Sequence, residues 1–152
     1  MAVVRSSTLA FVGRLFFVAL FITSAVQKLQ SFDATGGPIM KAMQPKMDHF
    51  LARLEHFTGI DLPLEKQAYV YLLAFATFLE ISGAVLFLFN SALGAWLLVL
   101  FVTAVTPIMH NFWDITDVHD RMLDTIMFFK NLSILGALFF YLGNQPKKLR
   151  VD

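Results

Sequence analysis

The sequence predicts an all-α fold: an integral membrane four-helix bundle, with an amphipathic interfacial helix between the first and second spans. Composition is the first observation, because 57% of the 152 residues are hydrophobic and only 15% are charged. A soluble domain is about half apolar and about a quarter charged. The second observation is that the apolar residues lie in four long blocks, each near the roughly 20 residues that a spanning helix needs. We therefore predict a single membrane domain over residues 1–152.

The first predicted span covers residues 8–28. It reads "TLAFVGRLFFVALFITSAV" and closes with Gln27 and Lys28. This block is too long for a cleaved signal, and no small-residue cleavage site follows it. We predict a spanning helix despite Arg14, which lies about six residues, or roughly 9 Å, inside the span.

A polar interval follows, with turn signals at Gly36-Gly37-Pro38 and at Asp61-Leu62-Pro63. Apolar residues recur between these turns at helical spacing: Ile39, Met43, Met47, Phe50, Leu51, Leu54 and Phe57. Charged residues occupy the opposite face: Lys41, Lys46, Asp48, Arg53 and Glu55. This pattern predicts an amphipathic helix on the membrane surface, bent at Pro45.

The three remaining spans are predicted at residues 68–89, 93–110 and 122–143. Glu80 lies inside the second span, and Lys130 and Asn131 lie inside the fourth. The loop before the fourth span is acidic and aromatic, as is typical of a membrane interface. Four spans put both termini on one side, where basic residues flank the spans: Arg5, Lys147, Lys148 and Arg150. Because Lys and Arg favour the cytoplasmic face, both termini are predicted in the cytosol, or in the matrix of a mitochondrion.

Arg14 and Glu80 are the first pair of polar residues inside the predicted membrane. Glu80 lies about nine residues, roughly 13 Å, from the surface at which Arg14 lies about 9 Å deep. A lone charge inside a bilayer costs at least a few kcal/mol, whereas a paired charge is tolerable. We therefore predict an intramembrane ion pair between Arg14 and Glu80. Such a pair either only stabilises the packing of the helices or takes part in the function of the protein.

A second polar layer is predicted near the opposite surface, from Gln27, His110, Lys130 and Asn131. Asp114 and Asp124 are candidates to balance the charge of Lys130, which can also extend toward the surface. One interpretation is that these four residues bind a ligand. The other is that they only join helices, at about 1 kcal/mol or less for each contact.

Several kinds of chemistry are excluded or unsupported by the sequence. The chain has no cysteine, which excludes disulfides, thiolate metal sites and a thiol redox centre. A net charge of +1 gives no nucleic-acid footprint. His49 and His56 are seven residues, about 10 Å, apart on a helix, too far to bind one metal ion together. We predict no catalytic residue and no metal site.

Four stretches together resemble a known group of proteins: "GRLFFVALFITSAVQKLQSF", "GGPIMKAMQPK", "TPIMHNFWD" and "NLSILGALFFYLG". In this order they resemble the DoxX-like superfamily, and most closely its plant-type branch, the HR-like lesion-inducing membrane proteins. The resemblance implies a small four-span protein over nearly the whole chain. It also implies several possible roles, since relatives include a subunit associated with a quinone oxidoreductase, cargo receptors and assembly chaperones.

Two functional hypotheses follow. The first is a non-catalytic organelle membrane protein that binds or assembles partners, since a Met-rich amphipathic segment adapts to varied partners. On this hypothesis the protein lies in the endoplasmic reticulum, with the mitochondrial inner membrane as the alternative. Its partner is another membrane protein or a second copy of the chain in a homo-oligomer. The second is a quinone- or lipid-binding subunit of a membrane oxidoreductase. Here His110 and Lys130 hold a head-group oxygen, and aromatic residues wall the ligand: Phe112, Trp113, Phe128 and Phe129.

Overall fold

The chain folds into five α-helices in a computed structural model that describes residues 7–145. The helices are α1 (Ser7–Gln30), α2 (Gly37–Thr58), α3 (Lys66–Leu88), α4 (Ala92–Met109) and α5 (Val118–Gly143). A short 3₁₀ helix, Phe112–Asp114, precedes α5, and no strand occurs among residues 7–145. The terminal basic residues Arg5, Lys147, Lys148 and Arg150 lie outside the described residues. The all-α class is confirmed.

Four helical segments are long and apolar enough to cross a membrane: Ser7–Gln30, Lys66–Leu88, Ala92–Asp114 and Val118–Gly143. They correspond to the four predicted spans. One difference is at the start of α5, which begins four residues before the predicted position 122. The reason is a capped polar turn, because the side chain of Asp117 accepts a hydrogen bond from the backbone N–H of Asp120 at 2.9 Å.

The glycine pair before α2 makes a turn that no other residue type would allow. Gly37 has φ +68°, and a Cβ there would lie 1.9 Å from the backbone oxygen of Ser31. Asp33 braces the turn by accepting hydrogen bonds from the side chain and backbone of Thr35 and from the backbone of Gly37. The bond from the Thr35 hydroxyl is the main reason why the pKa of Asp33 lies below its usual value. The predicted turn is therefore where α2 begins.

Helix α2 is held against the spans by its methionine face. Met40, Met43 and Met47 are buried, in one cluster with Tyr69 and Leu73 of α3. Pro45 lies inside the helix, as the sequence indicated. Location of α2 at the membrane surface remains a prediction.

The spanning helices pack in the order α1, α3, α4, α5. Among the described residues, α1 and α5 make no extensive contact with each other. A main hydrophobic core lies where the four helices converge, and it includes Phe21, Phe87, Leu98 and Leu138. The methionine cluster forms a second, smaller core at the other end of the helices. The space between α1 and α5, and between the two cores, is where the candidate site lies.

Candidate functional site

A partly open cavity of about 690 Å³ lies between the spanning helices, with α2 along one side. All five helices contribute to its walls, which are mainly apolar and include Leu20, Phe21, Leu73, Phe101 and Ile134. Its principal polar side chains are Gln27, Lys28, Glu80, His110, Lys130 and Asn131. The four residues predicted to form a ligand-binding layer therefore line one cavity. That they bind a ligand stays a prediction.

Lys28 and Glu80 form an ion pair in the wall of this cavity. The Lys28 Nζ lies 2.6 Å from Glu80 Oε2, and the whole Glu80 residue is only 1% exposed. Lys28 Nζ also donates a hydrogen bond to Ser24 Oγ at 2.8 Å and lies 5.6 Å from the centre of the Phe101 ring. Both charges are thus neutralised within the protein, as a charge inside a membrane requires.

The predicted pairing of Arg14 with Glu80 differs from the structure. Arg14 instead donates from Nε to the backbone oxygen of Leu88 at 3.2 Å and from Nη1 to Asn90 Oδ1 at 3.0 Å. Tyr141 of α5 donates to the same Asn90 oxygen at 3.1 Å. Arg14 therefore ties α1 to the turn between α3 and α4, about eight residues or 12 Å along α3 from Glu80.

Side-chain direction explains the exchange of partners. In an α-helix the Cα–Cβ bonds tilt toward the N-terminus of the helix. Helices α1 and α3 are antiparallel neighbours, so Lys28 and Glu80 lean toward each other while Arg14 and Glu80 lean apart. Depth along the helix axis, from which the pairing of Arg14 with Glu80 was predicted, does not include this tilt.

A sequence signal for Lys28 does exist. The buried residues of α1 are Val18, Phe21 and Ala25, and Lys28 continues their spacing of three and four residues. Lys28 therefore belongs to the face of α1 that packs on α3. The position of Lys28 at the end of the span does not indicate its partner, whereas its position on the helix circumference does.

His110 lines the cavity just after the end of α4 and contacts Asp124 of α5. The Nδ1 atom of His110 lies 3.3 Å from Asp124 Oδ1, and Lys46 of α2 lies 3.0 Å from Asp124 Oδ2. Asp124 therefore balances the charge of Lys46, and not that of Lys130, for which the sequence had made it a candidate. Because His110 Nδ1 faces Asp124, only its Nε2 atom is available to a molecule in the cavity.

Asn131 joins two of the motifs that carry the sequence resemblance. Its amide Nδ2 donates to Thr106 Oγ1 at 3.1 Å, which links the "NLSILG" segment of α5 to the "TPIMH" segment of α4. Thr106 in turn donates its hydroxyl proton to the backbone oxygen of Val102. The donor side of the Asn131 amide is therefore used in packing, and its oxygen remains for a ligand.

Three further polar contacts attach α2 to the 3₁₀ helix and to α3. Arg53 and His49 both pair with Asp114, and the Tyr69 hydroxyl donates to Asp48. His56 packs against Phe57, so the two histidines of α2 have separate partners. Among residues 7–145 no three His, Cys, Asp or Glu side chains are grouped to bind a metal ion.

The aromatic residues expected to wall a quinone ring lie elsewhere. Phe112, Trp113, Phe128 and Phe129 pack on one another, with ring centres 5.1–6.4 Å apart, and none of them lines the cavity. They join the 3₁₀ helix to α5. The cavity wall that remains is mostly aliphatic, with Phe21 and Phe101 as its aromatic members.

Fold and site together define the class: an integral membrane protein with four apolar helices and a polar group of side chains in a cavity between them. Residues 6–144 match the family described as HR-like lesion-inducing, which is most of the 152-residue chain. The chain belongs to the HR-like lesion-inducing family. No curated protein and no solved structure matches it.

Proposed function

We propose that this protein holds a lipid-soluble molecule by its polar head inside the membrane, in the cavity between α1 and α5. The supporting observation is that one mainly apolar cavity is lined by Gln27 of α1, by His110 just after α4, and by Lys130 and Asn131 of α5. Its volume of about 690 Å³ is in the range of ligand sites, about 300–1,000 Å³. Aliphatic walls favour an acyl chain over a quinone ring, so a lipid is the preferred ligand and a quinone the alternative.

Extraction of the purified protein tests this proposal. We expect one lipid or quinone molecule per chain in an organic extract, and the same mass on the intact protein by native mass spectrometry. Ala19 lines the cavity, so Ala19→Phe should fill part of it and lower the bound ligand at least several-fold. The control is Ala10→Phe on the same helix, at an exposed position nine residues, about two and a half turns, away. Equal ligand content in both variants, or no ligand in the wild type, would count against the proposal.

Partner binding or assembly is a second candidate, supported by the outer surface of α5. Leu138 is the one residue of α5 that is buried within the described chain, and large apolar side chains such as Phe129, Leu132 and Phe140 are exposed. Either acyl chains or a second membrane protein, including another copy, covers this surface. The same mass spectra decide: a reproducible complex supports partner binding, and a ligand-free monomer contradicts both candidates. Membership of the wider DoxX-like superfamily, with its oxidoreductase subunits, stays a prediction from sequence motifs.

Topology and organelle are proposed from the sequence: both termini in the cytosol, in the endoplasmic reticulum, with α2 at the opposite surface. The native chain has no cysteine, so single cysteines can be labelled without background. In sealed, fractionated membranes an impermeant reagent should label Gln145→Cys from the cytosolic side and Asp61→Cys only after permeabilisation. Equal accessibility of the two sites would rule out this arrangement, and enrichment in the mitochondrial fraction would place the termini in the matrix instead.

A further inference from the structure

The side chains that line the cavity carry an excess of one positive charge. Two lysines, Lys28 and Lys130, and one carboxylate, Glu80, belong to the lining, and Glu80 is paired with Lys28. Asp124 is engaged with Lys46 and His110. Within residues 7–145, Lys130 has no acidic partner, and its Nζ lies 3.2 Å from the sulfur of Met127. A charge within a membrane-spanning segment such as Val118–Gly143 requires compensation, and no carboxylate of the described residues provides it.

Lys130 lies in the apolar helix α5, at the open side of the cavity, and it is exposed within the described chain. Asp124 lies level with the end of α4, since Lys46 bridges it to the backbone oxygen of Met109. Lys130 follows Asp124 by six residues, about 9 Å along α5. Its side chain extends toward Met127, one turn nearer that end of the helix, and so presents its ammonium group at the level of the cavity opening.

Unused hydrogen-bonding groups accompany this charge. The Gln27 side-chain amide has no hydrogen-bond partner among the described residues, and Nε2 of His110 and Oδ1 of Asn131 are also unengaged. Lysine and the Gln27 amide can donate to an oxygen of the ligand, whereas Nε2 of a neutral His110 that donates from Nδ1 to Asp124 can only accept. The apolar walls formed by Leu20, Phe21 and Ile134 continue from this polar group. Charge, donors and apolar walls are thus combined in one cavity.

We propose that the ligand is an amphiphile whose head carries a negative charge on a carboxylate or a phosphate, and that Lys130 selects it. This inference rests on the proposed function and adds the chemical class of the head group. The Lys28–Glu80 pair does not serve this role, because its charges already neutralise each other. A carboxylate or phosphate oxygen of the ligand would form an ion pair with Lys130, as Glu80 does with Lys28.

Paired lipid probes test the charge selection. Oleate is compared with oleyl alcohol, and dioleoyl phosphatidic acid with dioleoylglycerol, in detergent micelles at a pH at which oleate is ionised. The wild type should bind at least one anionic probe about tenfold or more tightly than its uncharged counterpart, the factor expected for one charge-assisted hydrogen bond. Which pair shows the preference distinguishes a carboxylate from a phosphate.

Variants locate the preference at Lys130. Lys130→Gln should abolish it, Lys130→Arg should retain it, and Lys66→Gln should leave it unchanged. Lys66 is an exposed lysine at the start of α3 and does not line the cavity, so it controls for a general loss of positive charge. Equal binding of charged and uncharged probes, or equal effects of the two glutamine variants, would overturn the charge selection alone. Absence of binding for all four probes would overturn the proposed function as well.

Discussion

Lys28→Gln is expected to lower the free energy of unfolding by about 3 kcal/mol, because it leaves the buried carboxylate of Glu80 without its counter-charge. Glu80 is 1% exposed, and Lys28 Nζ is its ion-pair partner at 2.6 Å. Glu80→Gln should cost a comparable amount by leaving Lys28 unpaired. Unfolding in mixed micelles with increasing SDS measures these differences. Glu65→Gln removes an exposed carboxylate just before α3 and should change the free energy by no more than about 0.5 kcal/mol.

The double variants separate the observed pair from the predicted one. Lys28→Gln combined with Glu80→Gln should cost less than the sum of the single changes by at least about 1 kcal/mol, since residues in contact are coupled. Arg14→Gln combined with Glu80→Gln should be additive within about 0.5 kcal/mol, because the two side chains have separate partners. The reverse result, with coupling for Arg14 and additivity for Lys28, would mean that the helices pack in the register predicted from depth.

Gly94→Ala is expected to destabilise the protein by about 3 kcal/mol, at the upper end of typical overpacking effects. A Cβ at this position would lie 2.2 Å from the backbone nitrogen of Phe87 and 2.8 Å from the backbone oxygen of Gly83. These atoms belong to the backbone of α3, so no side chain can rotate away, and α3 and α4 must separate. The shift would disturb the main core, in which Phe87 and Ala95 are buried.

Gly136→Ala provides the matched control for Gly94→Ala. Gly136 also lies in a spanning helix, but a Cβ there would meet nothing within 4 Å in the described chain. We expect unchanged stability, or a gain of up to about 1 kcal/mol from the higher helix propensity of alanine. A large loss of stability in Gly136→Ala would indicate that a partner helix, rather than lipid, covers this part of α5. A small effect of Gly94→Ala would contradict the close packing of α3 on α4.

The candidate site was partly predictable. The prediction that Gln27, His110, Lys130 and Asn131 lie together required only the ends of the spans and the rise of a helix, because antiparallel spans bring residues of equal depth to one layer. Their common cavity follows from packing, since α1 and α5 are separated by α3 and α4. The predicted aromatic wall is not observed, for a related reason. The four aromatic residues lie close in sequence to His110 and Lys130, but they pack on one another and do not line the cavity: Phe112, Trp113, Phe128 and Phe129.

The sequence by itself determined the all-α class, the four apolar helices and the glycine turn before α2. These properties depend on hydrophobic block length, on local backbone sterics and on the constant rise of a helix, all of which are local. Only the tertiary structure decided that Glu80 pairs with Lys28, that Asp124 balances Lys46 and that Lys130 has no acidic partner among residues 7–145. Partner choice depends on helix rotation, neighbour order and side-chain direction, and these arise when the helices pack against one another.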